Sequence, residues 1–251
     1  MDRAPWKPGA GGSRSPQGCA RGTRFARFWS GVLGWEPVEG HDGVAVLPPD
    51  DAGFPLRFVP GGQEPRTGRN RAHFDLTSAS PEDQRRTVAR ALELGGSHVD
   101  VGQLPEEEHV VLADPDDNEF CVIEAGNMFL AGTGLVGALS CDGTREAGCF
   151  WSEALKWPLV WDQDEETAIQ SPDGGTKITW GGPPIPPKTG PNRLFLELEI
   201  PAHADGEAEA GRLVPLGATR AGTGAGTGIG DAERMLLLDP DGNEFTLWTP
   251  R

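Results

Sequence analysis

The sequence predicts an α+β protein with curved, mostly antiparallel sheets, built by tandem duplication. Two observations carry that expectation. The first is an internal repeat. Cys19-Ala-Arg-Gly-Thr-Arg-Phe-Ala-Arg-Phe28-Trp29-Ser30 returns as Cys141-Asp-Gly-Thr-Arg-Glu-Ala-Gly-Cys-Phe150-Trp151-Ser152. The same offset, 122 residues, carries Trp35 onto Trp157 and the segment Asn70–Leu76 onto Asn192–Leu198. Asp114-Pro-Asp-Asp-Asn-Glu-Phe120 returns as Asp239-Pro-Asp-Gly-Asn-Glu-Phe245 at an offset of 125, the slip falling across a glycine loop. The second observation is that each half reads as two β-α-β-type units of short strands, helix signals and abundant turns, with 36 Gly and 23 Pro in 251 residues.

The elements follow in order. Thr23–Leu33 and Thr144–Leu155 read as helices opened by threonine caps, with Phe28, Trp29 and Leu33 as a buried stripe. Val44–Leu47 with Leu56–Val59, and Thr167–Gln170 with Lys177–Trp180, read as strand pairs joined by Pro/Asp/Gly turns. Ala72–Leu76 alternates as a strand. Ser80-Pro81-Glu82-Asp83 then supplies a cap, a proline at the first helical position and acidic residues on the helix dipole. That helix runs to about Leu94 and stops at Gly95-Gly96. Val110–Leu112 and Phe120–Ile123 flank a turn and read as a hairpin. Gly134–Ser140 reads as the opening strand of the second half. Its counterpart, Gly12–Gly18, cannot be a hydrophobic strand, so residues 1–18 are expected to be disordered or degenerate, with the opening strand lost. Domain boundaries then fall at 19–126 and 133–251.

Composition narrows the functions. With 22 Lys+Arg against 38 Asp+Glu the net charge is −16, which disfavours nucleic acid and anionic membrane surfaces as partners. No apolar run reaches transmembrane length, no secretory signal is visible at the start, and four cysteines without C-x-x-C spacing read as reduced thiols. The expected location is cytoplasmic.

Helices ending in Phe-Trp-Ser, then Asn70-Arg-Ala-His73-Phe-Asp75-Leu, then Asp114-Pro-Asp-Asp-Asn-Glu-Phe120, in order and twice, resemble the glyoxalase-like, bleomycin-resistance-like branch of the vicinal oxygen chelate superfamily. The resemblance covers about residues 19–125 and 135–250. It implies tandem domains of paired βαβββ modules whose mixed sheets curl around a cavity. Four modules in one chain would equal what single-domain relatives assemble as a dimer. It is specific for fold and much less so for chemistry. Metal-using relatives take a His or similar residue from opening strands and a Glu at the eighth position counted from the Asp of the Asp-Pro turn. Here those eighth positions are Cys121 and Thr246, while Glu119 and Glu244 belong to the turn motif. The opening-strand position is Val136 in one half and Arg14 in the other; His73 fits a ligand position, and its counterpart is Phe195.

A catalytic divalent metal needs about three N/O ligands and an open position. His73 and Cys121 are weak metal candidates without a third, so no cofactor is expected. Residues two apart on a strand share a face, which makes His73 and Asp75 the candidate catalytic pair in a metal-free enzyme. The candidate ligand-binding residues are His73, Cys121, Trp180, Phe195, Glu197, Thr246 and Trp248. Trp161, Trp180 and Trp248 face Glu39, Phe58 and Ile123 in the repeat, and an indole suits flat or cationic ligands. If modules from opposite halves combine, one cavity holds the polar pair and the other is aromatic and apolar. Gly222–Gly230 reads as a hairpin loop rather than a phosphate loop. Of the other histidines, His109 is expected on a strand and His41, His98 and His203 in loops or on the surface. The leading expectation is a metal-independent binder of a small organic ligand, monomeric or a weak homodimer. The alternatives are a lyase, isomerase or dioxygenase of the same superfamily, and a structural or protein-interaction module.

Overall fold

The computed structural model describes residues 8–10, 18–40, 43–49, 53–58, 68–104, 106–201, 204–221 and 234–248. Four βαβββ modules follow one another. The first holds β1 (Pro8–Ala10), α1 (Gly18–Leu33), β2 (Glu36–Gly40), β3 (Gly43–Leu47) and β4 (Leu56–Phe58). The second holds β5 (Ala72–Leu76), α2 (Pro81–Glu93), β6 (Ser97–His98), β7 (Val110–Ala113) and β8 (Glu119–Val122). The third holds β9 (Val136–Cys141), α3 (Arg145–Leu155), β10 (Leu159–Gln163), β11 (Glu166–Ser171) and β12 (Gly174–Trp180). The fourth holds β13 (Leu196–Glu199), α4 (Gly206–Leu213), β14 (Thr219–Arg220), β15 (Arg234–Leu238) and β16 (Glu244–Trp248).

Local chemistry sets the helix ends. Ser80 Oγ accepts from Asp83 N at 3.1 Å and Thr144 Oγ1 from Ala147 N at 3.3 Å, so each cap satisfies a donor the helix cannot. The chain leaves α3 through Lys156 in the left-handed region and passes Gly95, just beyond α2, at a φ of 99°. The apolar stripe of α1 (Phe28, Trp29, Val32 and Leu33) and that of α3 (Phe150, Trp151, Ala154 and Leu155) are buried in one hydrophobic core with alternate residues of the strands. Trp29 meets Phe74 and Phe120 edge-on, and Trp151 meets Phe245 likewise. Burying such rings contributes roughly 1.5–3 kcal/mol each.

The Asp-Pro turns lock this core identically in both halves. Trp29 Nε1 donates to Asp114 Oδ2 at 3.2 Å, and Trp151 Nε1 to Asp239 Oδ2 at 3.2 Å. Burial raises both carboxyl pKa values above the ordinary aspartate range. Glu119 and Glu244 accept from the backbone N of Asn70 and Asn192, at 3.4 and 3.1 Å. Both glutamates therefore act in the turn motif, tying its exit to the start of β5 or β13.

The strands form two eight-stranded sheets, ordered β10-β11-β12-β9-β5-β8-β7-β6 and β14-β15-β16-β13-β1-β4-β3-β2. Each sheet draws one module from each half of the sequence. The seams are the antiparallel pairs β5–β9 and β1–β13. Within a module the first strand runs parallel to the last. Arg193 of the second half pairs with Asp116 of the first, and Arg71 of the first donates to Asp241 O of the second at 3.2 Å.

One expectation needs correction. Pro8–Ala10 occupies the place of the opening strand, paired with β13 on one side and β4 on the other. Ala10 faces Leu196 as Leu139 faces Phe74, so the equivalent of Leu139 is Ala10 rather than Gln17. The repeat offset had slipped, and the strand sits in the backbone ladders to β13 and β4. Arg14, His41, His203 and the loop Gly222–Gly230 lie outside the described residues. The edge strands β2 and β10 gave no alternation signal because Glu36–Gly40 and Val160–Gln163 are exposed throughout.

Candidate functional site

Alternation on β5 sends Ala72, Phe74 and Leu76 into the core and leaves His73 and Asp75 on the opposite, concave face. Asp75 lies beside Cys121 in the parallel pair β5–β8, and His73 lies opposite Ser140 across the seam. Ser140 in turn faces Thr179 of β12. A chain of polar contacts crosses three strands. Thr179 Oγ1 lies 3.1 Å from Ser140 Oγ, Ser140 Oγ donates to Asp75 Oδ2, and His73 Nε2 lies 3.3 Å from Asp75 Oδ1. Donor atoms of His73, Asp75 and Cys121 all lie within 4.8 Å of one another. Burial, and next the Asp75 charge, push the Cys121 thiol well above its ordinary pKa, so it stays protonated at neutral pH.

The other sheet carries the counterparts. Glu197 occupies the place of Asp75, with Thr246 beside it where Cys121 stands. Around Glu197, with 1% of its side chain exposed, Arg57 Nη1 stands 3.2 Å from Oε2 and Arg234 Nε 3.6 Å from Oε1. Both guanidinium groups sit over the Trp248 ring, at 5.0 and 5.5 Å. This face is therefore charged, not aromatic and apolar as the repeat comparison implied. Aligning hydrophobic positions gave no weight to Arg57, which stands where the offset places Thr179.

The candidate residues thus divide three ways. His73, Asp75 and Cys121 are brought together; Glu197, Thr246 and Trp248 form the second cluster, with Phe195 buried just before β13. Trp180 belongs to neither face. It shares its side of β12 with Ile178, lies 2% exposed in the core, and faces away from Lys177 and Thr179. It is a packing residue where a ligand contact had been expected. His109 directly precedes β7, and His98 lies exposed on β6. Ser140, Thr179, Lys177 and Arg57 were missed. Period-two parity along β12 could have found Thr179 and Lys177, but Ser140 emerges only from the seam between halves.

The three clustered donors differ from the ligand set that the sequence resemblance implies. The position that carries the chelating glutamate holds Cys121, and the paired module offers the hydroxyls of Ser140 and Thr179 instead of carboxylates or imidazoles. An ion held by the three would compete with the His73–Asp75 contact and take the Cys121 sulfur as thiolate.

Paired βαβββ modules forming two seam-crossing sheets define the vicinal oxygen chelate fold. A family model of the glyoxalase-like domain matches residues 17–123 and again 137–248. The chain belongs to that family. It is similar in structure to glyoxalase I of Zea mays, at 12% identity and a TM-score of 0.61, over 97% of this chain and 93% of that one. A proposed dioxygenase of Bacillus subtilis subsp. subtilis str. 168 is similar at 12% identity and a TM-score of 0.58, over 96% and 84%. No curated protein matches the sequence. None of the described helices is long and apolar enough to cross a membrane.

Proposed function

We propose that the chain binds a small organic ligand on the concave face of the sheet built from β5–β8 and β9–β12, without a complete metal chelate. The single observation that carries this reading is the Thr179–Ser140–Asp75–His73 chain, a set of polar groups satisfied among themselves and presented at the seam of two modules. Such a set offers donors and acceptors to a ligand without demanding an ion to neutralise it. His73, with 37% of its side chain exposed, is the member that reaches solvent most. The ligand is held at this one face, and the other cluster keeps its charges for the fold. In the experiment, protein purified without added metal is analysed for Fe, Mn, Ni and Zn, then screened by thermal shift against aromatic metabolites and antibiotics. Substoichiometric metal and a ligand whose shift disappears in His73→Phe support the reading. One equivalent of metal, lost in His73→Ala, overturns it.

The His73–Asp75 contact favours a second reading, an enzyme without metal. A carboxylate fixed by Ser140 orients the imidazole, and the ring moves a proton to or from bound substrate. Turnover that falls at least about a hundredfold in both His73→Phe and Asp75→Asn, with binding kept, would favour catalysis over simple binding.

A further inference from the structure

The concave face that carries His73 ends, two strands away, in a lysine whose surroundings point to the chemistry of the ligand. Lys177 alternates with Thr179 on β12, opposite Ala138 of β9, which is itself opposite Asp75 of β5. Two strand spacings, about 9.5 Å, therefore separate the lysine from the aspartate along the sheet. The neighbouring row runs Trp161, Ala168, Thr179, Ser140, His73. Between the two ends lie the hydroxyls of Thr179 and Ser140 and the small side chains of Ala138 and Ala168, the two alanines closed off from solvent beneath the row.

The Lys177 ammonium is unlike the other described lysines. Lys156 and Lys188 each hold a glutamate, at 2.7 and 2.6 Å. Lys177 Nζ has the backbone O of Phe129 and sits 4.6 Å from the centre of that ring, with no carboxylate paired to it among the described residues. Burial lowers its pKa, and no neighbouring charge offsets that. In a chain of net charge −16, a partly desolvated cation without a counter-charge is a place prepared for an anion from outside. Phe129 links it to a second ring. Phe129 and Trp161 meet at 6.0 Å and 87°, and each leaves more than a third of its surface in solvent.

Resting on the binding reading above, we propose that the ligand is a flat aromatic anion. Lys177 takes its acidic group, Trp161 and Phe129 take the ring, and the His73–Asp75–Ser140 end takes a hydroxyl or amine. The polarity follows from charge: Asp75 repels an anion and accepts from a donor, while Lys177 does the reverse. Trp161 supplies a face for stacking, and the edge-on Phe129 keeps Lys177 in place.

The probes are 4-hydroxybenzoate, its neutral analogue 4-hydroxybenzamide, and benzoate, titrated into the full chain by calorimetry and tryptophan fluorescence. The acid is expected to bind about tenfold tighter than the amide, as one charge-assisted contact allows. Lys177→Gln should remove that preference while leaving the amide unchanged, and Lys177→Arg should restore most of it. Benzoate should bind more weakly than 4-hydroxybenzoate, and that difference should vanish in Asp75→Asn. Melting curves of both lysine variants exclude misfolding as the cause. Equal binding of acid and amide, or an acid affinity indifferent to Lys177→Gln, overturns the inference. If neutral ligands bind and respond to His73→Phe while aromatic acids do not, this inference falls and the binding reading stands. If no probe or screened ligand responds to His73→Phe, both fall.

Discussion

The two concave faces occupy equivalent places in the same duplicated frame, yet they spend their polar residues differently. On the β5–β9 face two hydroxyls are hydrogen-bonded to a carboxylate that an imidazole and a thiol flank, and the histidine remains partly open. On the β1–β13 face the equivalent carboxylate, Glu197, is sealed between Arg57 and Arg234 against Trp248. Removing one partner of a buried ion pair is costly, because it leaves charge without compensation in a poor dielectric. A face built that way resists change. A face whose histidine stays partly open is freer to change. The core motifs, by contrast, are the same in both halves down to the indole–aspartate distance.

Four experiments press on this contrast. The harshest removes residues 1–17. Pro8–Ala10 joins β13 to β4 in the middle of its sheet, so the truncation should cost several kcal/mol or abolish folding, read by urea unfolding or circular dichroism. A change under about 1 kcal/mol would show that this seam needs no third strand. Next, Glu197→Gln should destabilise by about 3 kcal/mol, whereas Asp75→Asn at the matching position should cost about 1 kcal/mol or less; equal losses would erase the distinction between the faces. Third, the buried carboxyls should respond alike. Asp114 and Asp239 have folded pKa values raised by burial, so the fold binds their protons more tightly than the unfolded chain does. Their contribution is complete below the ordinary value of 3.8 and is lost as pH rises through the raised folded value. Asp114→Asn and Asp239→Asn should each flatten stability over that window, at a cost of about 1–2 kcal/mol, and a difference between the two would break the equivalence of the frames. The gentlest change is His73→Phe, which copies Phe195. It should shift Tm by no more than about 3 °C while abolishing ligand binding, and unfolding would mark the histidine as structural.

Much of the frame was legible in the chain because repeats and caps are local. The Phe-Trp-Ser helices, the Ser80 and Thr144 caps and the turn role of Glu119 and Glu244 all depend on residues close in sequence or on motifs copied twice. The pairing of His73 with Asp75 followed from strand parity alone. What escaped required knowledge of which strands meet. Ser140 reaches Asp75 only because the third module pairs with the second, and Arg57 reaches Glu197 only because the first pairs with the fourth. Trp180 was misjudged for a different reason. A large aromatic is as apt for a core as for a ligand, and only its phase with Ile178 tells which.

The crossed pairing of modules has a consequence for how such a protein can diversify. In a homodimer assembled from one such half, every substitution is made in both seams at once, so a change that improves one pocket is forced on its twin. Joining the halves in a single polypeptide lifts that constraint. The two seams can then drift apart, as the different surroundings of Asp75 and Glu197 illustrate. The segment between β8 and β9 joins the two parts and lays Phe129 against Lys177, and two separately expressed pieces divided within it should find each other and complement, each supplying half of both sheets.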